Sequence, residues 1–133
     1  MKEIFLEVVT PSKSVFNGKV KSLTVPGTLG SFQVLYNHAP IISSFEIGVV
    51  SFTNIEGIEY KYCTSGGTVE ILANKIILLA ETFESKEEID ESRAKQAYER
   101  AKQRLSIENK EKIDTTRAEA ALQRAINRLK FIK

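Results

Sequence analysis

The residues best suited to chemistry in this chain are its arginines. All six, Arg93, Arg100, Arg104, Arg117, Arg124 and Arg128, lie in the C-terminal third. The first three are spaced i, i+7, i+11, and so are the last three, so each triplet falls on one stripe of a helix. If the helices pair, guanidinium groups border the seam on both, and a guanidinium fork binds phosphate by two points. The same spacing also fits a solvated face with local ion pairs such as Asp90–Arg93 and Glu91–Lys95, and spacing alone leaves both readings open. Nothing else forms a catalytic set. His38 has no nucleophile or carboxylate at a recognisable spacing, which points to a structural or interface role. Ser65-Gly66-Gly67 lacks the lysine and the strand–helix setting of a phosphate loop and reads as a tight β-turn. Cys63 reads as a strand residue, and the carboxylates are scattered.

Helices must position the arginines. Ala94, Ala97, Tyr98, Ala101 and Leu105 follow one amphipathic period. Ala118, Ala121, Leu122, Ala125, Leu129 and Ile132 follow a second. Asp90 and Asp114 are placed as N-caps. The polar stretch Ser106–Lys112 is expected to turn an antiparallel hairpin. The motif Ile89-Asp90-x-x-Arg93-Ala94-x-x-Ala97-x-x-Arg100-Ala101-x-x-Arg104-Leu105 recurs 24 residues later, from Ile113 to Leu129. Alanine seams allow close approach but bury little apolar area, so such a hairpin could open at modest cost.

Upstream, β-branched and aromatic runs alternate with turn residues. The runs are Ile4–Val9, Val20–Val25, Phe32–Tyr36, Gly48–Phe52, Tyr60–Thr64, Thr68–Leu72 and Ile76–Leu79. The punctuation falls at Pro11-Ser12, Asn17-Gly18, Pro26-Gly27, Asn54 to Gly57, Gly66-Gly67 and Asn74. This pattern predicts a sandwich or barrel over residues 1–84, a polar connector at Phe83–Glu88, and a helical unit over 85–133. Around β-residues Tyr60, Tyr62 and Cys63 the polar Glu59, Lys61 and Thr64 alternate, whereas Ile76–Leu79 suits a strand buried on both faces.

Charge divides the chain at the same place. Residues 1–84 hold six lysines and eight acids; residues 85–133 hold thirteen basic groups and nine acids, so −2 and +4 give the net +2. That small total calls for no nucleic acid and no anionic membrane as partner. One cysteine forbids an internal disulfide and suits a reducing compartment. The N-terminus has no continuous apolar run of the kind a secretory signal needs, and no stretch approaches the roughly 20 apolar residues of a membrane span. The chain is expected to be soluble, reaching any membrane through another protein. Zero tryptophan, a single histidine and the lack of an acid/base pair argue against a sandwich enzyme or a carbohydrate-binding module.

In order along the chain stand Val9-Thr10-Pro11, Phe16-Asn17-Gly18-Lys19-Val20, Leu29-Gly30-Ser31-Phe32-Gln33-Val34-Leu35-Tyr36-Asn37-His38-Ala39-Pro40, Ser65-Gly66-Gly67-Thr68-Val69-Glu70, Leu78-Leu79-Ala80-Glu81, Ile89-Asp90-x-x-Arg93-Ala94 and Arg117-Ala118-Glu119-x-Ala121-Leu122. Over essentially its whole length the sequence resembles the epsilon subunits of bacterial or chloroplast-type F-type ATP synthases. The resemblance implies an α+β chain, an antiparallel β-sandwich of about ten strands followed by an α-helical hairpin, with no catalysis and no catalytic cofactor of its own.

It further implies a central-stalk role, with the sandwich docked on the gamma subunit and the membrane c-ring. Leu29, Ser31, Phe32, Gln33 and His38 match the family's docking edge. The hairpin is implied to move between a folded state and an extended one that meets the alpha/beta catalytic subunits and obstructs ATP hydrolysis. Ile89, Asp90, Arg93, Ala94, Arg100, Arg124 and Arg128 match the positions at which some bacterial members bind ATP, a regulatory ligand favouring the folded hairpin. Asp90 and the helix start would take the base or ribose end, the arginines the phosphates. A purely structural coupling subunit with a static hairpin and no nucleotide site is the alternative. The expected location is the cytoplasmic face of the bacterial inner membrane, as a peripheral subunit. Gln33 and Asn37 stand where many members carry glycine, and Ser31 where some carry an acid.

Overall fold

The computed structural model describes residues 2–111 and 115–133, with side chains at 2–106 and 116–133. It divides into two compact units, Met1–Ser85 and Lys86–Lys133.

The first unit contains nine strands among the described residues: β1 (Ile4–Val9), β2 (Ser14–Gly27), β3 (Gly30–Val34), β4 (Ile41–Phe45), β5 (Gly48–Asn54), β6 (Glu59–Thr64), β7 (Gly67–Leu72), β8 (Lys75–Ala80) and β9 (Phe83–Glu84). Their hydrogen-bonded order is β1-β8-β7-β4-β2-β5-β6-β9, with β3 on β2 and a second pairing of β1 with β2. The long β2 explains how one network makes a sandwich. Its first half pairs with β1, Ile4 opposite Val20 through Val8 opposite Phe16. From Val20 it pairs with β5, with a register shift between Val20 and Ser22, and its end pairs with β3. A bulge of this kind bends a strand, so β2 belongs to both layers. The expected sandwich forms, and within it one pairing, β1 with β8, is parallel.

Alternation builds the core. Ile4, Leu6 and Val8 of β1 are 0–1% exposed while Phe5, Glu7 and Val9 point away. They meet Val20, Leu23, Val25, Val34, Val50, Val69, Ile76 and Leu78. Phe52 sits centrally, its ring 4.6 Å from Phe16 and 5.9 Å from Tyr62, centroid to centroid. The tight turn Ala73-Asn74 joins β7 to β8 with both residues left-handed, φ 51° and 63°, the twist that a two-residue hairpin needs. Asn54 closes the β5–β6 hairpin: its Oδ1 accepts from the N–H groups of Glu56 and Ile58 at 3.0 and 2.9 Å.

Several sequence expectations change. Asn17-Gly18 is no turn; both residues lie within β2, opposite Glu7 and Leu6. The sequence pattern does not mark β4, because Ser43-Ser44 breaks its apolar run, yet Phe45 is a core residue. Phe83–Glu84 falls in the expected connector but pairs with β6. The all-apolar Ile76–Leu79 is buried on one face only, Leu79 being 51% exposed. Thr64, assigned to the polar face, is buried. Ser65-Gly66 is a corner rather than a hairpin turn, since β6 and β7 lie in different layers and do not pair; Gly66 takes φ 109° there.

The second unit begins with a 3-10 turn, Lys86–Glu88, and continues as α1 (Glu91–Glu111) and α2 (Thr115–Phe131), packed as a hairpin. Helix α1 runs through most of the stretch expected to turn, Ser106–Lys112. The proposed cap Asp114 and its neighbour Ile113 lie outside the described residues.

Candidate nucleotide and docking sites

Asp90 starts α1 as expected. Its Oδ1 accepts the Arg93 backbone N–H at 3.1 Å, and its carbonyl accepts that of Ala94 at 3.0 Å. This cap satisfies a donor that would otherwise lack a partner in the first turn. The carboxylate thus serves the Arg93 backbone, while the expected Glu91–Lys95 pair forms at 2.9 Å.

Ala94, Ala101, Ala118 and Ala125 are 1–5% exposed and mark the seam; Leu105, Leu122 and Leu129 are half-buried beside it. At about 100° per residue, Arg93, Arg100 and Arg104 lie within roughly 40° of arc, about a quarter turn behind that seam. Arg117, Arg124 and Arg128 bear the same relation to theirs. Two long helices that pack on each other and lie this close together in the chain run antiparallel. The second helix is therefore inverted relative to the first, and the equal offset puts both stripes on one side of the hairpin. On that side Arg93, Arg100, Arg104 and Arg117 are exposed and Arg124 and Arg128 half-buried. Arg93 and Arg100 stand about 10 Å apart along the axis. Ile89 is half-buried before the cap, and Ala94 is in the seam, so Ala94 can serve such a site only by letting the helices close up.

The docking candidates occupy β3 and its two ends. Leu29 is at the tip of the Thr28-Leu29 turn, 102% exposed. Gly27 makes that turn possible: a Cβ there would stand 2.8 Å from the Gly30 carbonyl and 2.9 Å from the Phe32 ring. Ser31, Phe32 and Gln33 pair with Pro26, Val25 and Thr24 of β2. Gln33 is thus an ordinary exposed strand residue and its position requires no glycine. Asn37 does adopt the left-handed conformation, φ 64°. Its N–H donates to Asn74 Oδ1 at 2.6 Å, and Asn74 Nδ2 donates back to Asn37 Oδ1 at 3.2 Å. His38 is half-buried, its Nδ1–H donating to the Ala39 carbonyl at 2.7 Å. The structure does not bring Leu29 and His38 together, because the five residues of β3, about 16 Å of strand, lie between them.

Sequence reasoning missed an exposed apolar border. Leu35, Tyr36 and Ile42 are 52%, 39% and 76% exposed. Leu35 and Tyr36, with Lys2, Lys21 and Ile55, line a cavity of about 610 Å³. The expected strand run Phe32–Tyr36 includes both, whereas β3 ends at Val34. Among the described residues no group of side chains suits a metal, and no helix is long and apolar enough to cross a membrane.

Two family models match, together spanning nearly the whole chain. Residues 3–86 match the beta-sandwich domain of the ATP synthase delta/epsilon chain, and residues 87–133 its long alpha-helix domain. An ATP synthase epsilon chain from Carboxydothermus hydrogenoformans is 45% identical over 104 residues, 78% of this chain and 77% of that one. One from Pelotomaculum thermopropionicum is 46% identical over 101 residues, 76% and 75% of the two. In solved structures, a chain of the Euglena gracilis mitochondrial ATP synthase OSCP/F1/c-ring assembly has the same fold, with TM-score 0.79 at 19% identity over 92% of this chain and 77% of that chain. The chain belongs to the ATP synthase delta/epsilon family, as an epsilon-type, non-catalytic subunit.

Proposed function

We propose that this subunit couples the gamma shaft to the membrane c-ring and restrains ATP hydrolysis through a movable C-terminal hairpin, with ATP as the ligand that holds the hairpin folded. The observation that carries the regulatory part is the placement of both arginine stripes on one side of the hairpin. A ligand bridging them requires the helices paired, so it binds the folded hairpin and not the separated helices. Differential affinity of this kind shifts a two-state population. An alanine seam buries little apolar area, so the helices separate at modest cost and a ligand that bridges them has leverage. Extended, the same hairpin would reach the alpha/beta catalytic subunits.

The docking part rests on Leu29, whose side chain is wholly in water, and on the apolar border at Leu35, Tyr36 and Ile42. The c-ring would meet the Leu29 tip and the gamma subunit the His38 end of β3, which the strand keeps apart. Such a subunit is peripheral, on the cytoplasmic face of the bacterial inner membrane. Ending the chain after Glu88 tests the inhibitory role. ATP hydrolysis by the assembled complex rises several-fold if the hairpin restrains it; an unchanged rate leaves a structural coupling subunit with a static hairpin.

A further inference from the structure

The cavity beyond β3 is walled by four separate segments: Lys2 and Glu3 ahead of β1, Lys21 in β2, Leu35 to Asn37 after β3, and Ile55 after β5. Each of them is held. Val20 pairs with Asn54 and Ser22 with Thr53, so Lys21 is the extra residue of the β2 bulge, a position that re-aims a side chain. The Leu35 carbonyl accepts the His38 N–H at 3.1 Å, closing a tight turn, and Asn37 within that turn is bonded both ways to Asn74. The Asn74 carbonyl accepts the Phe5 N–H at 2.9 Å, which ties down the strand that follows Lys2 and Glu3. Ile55 stands in the turn that Asn54 closes. A recess framed in this way is formed before anything enters it. Its volume, about 610 Å³, falls in the range of small-molecule sites, about 300–1,000 Å³.

Two kinds of surface meet there. Leu35, Tyr36 and Ile55 supply an apolar wall, and Ile55 is 41% exposed. The rim is cationic. Glu3 is the one acid in the lining, and its carboxylate lies 3.5 Å from the ammonium of Lys19, which is not in the lining. Lys2 and Lys21 have no ion-pair partner among the described residues. The recess therefore carries two uncompensated cations beside one acid that is already paired. Ammonium groups are compact point charges, and the Asn37 amide oxygen is used by Asn74. The lining thus offers charge and apolar contact but little directional hydrogen bonding.

We propose that this recess binds a small amphiphilic anion, an aliphatic chain ended by a carboxylate. The chain lies against Leu35, Tyr36 and Ile55, and the head sits between Lys2 and Lys21. The site is wholly within the first unit and uses none of the arginines. Leu35 and Tyr36 also belong to the apolar border proposed for docking, so a bound amphiphile covers part of that border; this consequence rests on the docking reading, whereas the binding itself does not.

Titration of the intact, isolated chain with short aliphatic carboxylates tests it, followed by amide and methyl chemical shifts. Octanoate, kept below its micellar concentration, saturates with shifts gathered at residues 2–3, 21, 35–37 and 55. Affinity rises about threefold per methylene from hexanoate to octanoate, a little under the roughly fourfold of complete burial. Lys2→Gln and Lys21→Gln each weaken octanoate about fivefold. Lys61→Gln, on β6 and outside the lining, leaves it unchanged. Octan-1-ol, with the same chain and no charge, binds about tenfold more weakly. Thermal melting checks that the variants fold as the wild type does. Shifts scattered over the surface, equal affinity for octanol and octanoate, wild-type affinity in both lysine variants, or no saturation by about 10 mM octanoate overturns the proposal. No partner subunit enters the measurement, so its failure leaves the docking reading standing, and a failure to dock leaves this site standing.

Discussion

Replacing Arg93 or Arg124 by alanine separates a nucleotide site from a merely solvated arginine face. Arg93 is exposed on the first turn of α1, and Arg124 is half-buried on α2. A hydrogen bond to a charged group contributes about 1.5–3 kcal/mol, with water reducing the exposed case toward the lower figure. Arg93→Ala then weakens ATP binding about tenfold and Arg124→Ala about fiftyfold. At ATP ten times the wild-type Kd, the ligand stabilises the folded hairpin by about 1.4 kcal/mol; the same concentration gives about 0.4 kcal/mol in the first variant and about 0.1 kcal/mol in the second. Alanine is the best helix former and neither side chain lies in the seam, so the hairpin itself is preserved. Calorimetric titration of the isolated chain with ATP reads the affinities, and circular dichroism checks the helices. Wild-type affinity in both variants, or no binding to the wild type at millimolar ATP, refutes the site and leaves the arginines to partner subunits or solvent.

Gly67→Ala destabilises the sandwich, since a Cβ there runs into the Leu79 carbonyl of the paired strand; we expect a loss of about 3 kcal/mol or more, read by urea unfolding or by loss of soluble protein. Asp90→Ala removes the α1 cap and costs the hairpin about 1 kcal/mol, seen as a lower helical melting midpoint with the sheet signal unchanged. Leu29→Ser changes stability by less than about 0.5 kcal/mol, because the side chain is already in water, yet weakens assembly into the rotor; equal assembly of variant and wild type in a reconstitution assay removes Leu29 from the docking surface.

The legible parts of the sequence were those whose structure is local. Asp90 acts as a cap through bonds to residues three and four positions on, and the alanine seam follows from period alone. β1 was placed to the residue, because its inward side chains alternate without a break. The parts that were not legible depend on distant partners. Gly18 sits in a strand because β1 lies alongside it. Phe83–Glu84 becomes a strand only through Thr64 and Tyr62, about twenty residues away. Leu79 faces outward although its neighbours are all apolar, since composition cannot say which side of a strand is covered.

For the sites the division is the same. Residue types and spacing determined that two arginine stripes exist and that each lies a quarter turn from its seam. Only the pairing of α1 with α2 decided that they share one side, because inverting a helix preserves the sense of the offset but reverses the direction of the axis. Likewise the sequence supplied Leu29 and His38 as docking candidates nine residues apart, while the extended backbone of β3 decided that they stand beyond opposite ends of one strand rather than side by side.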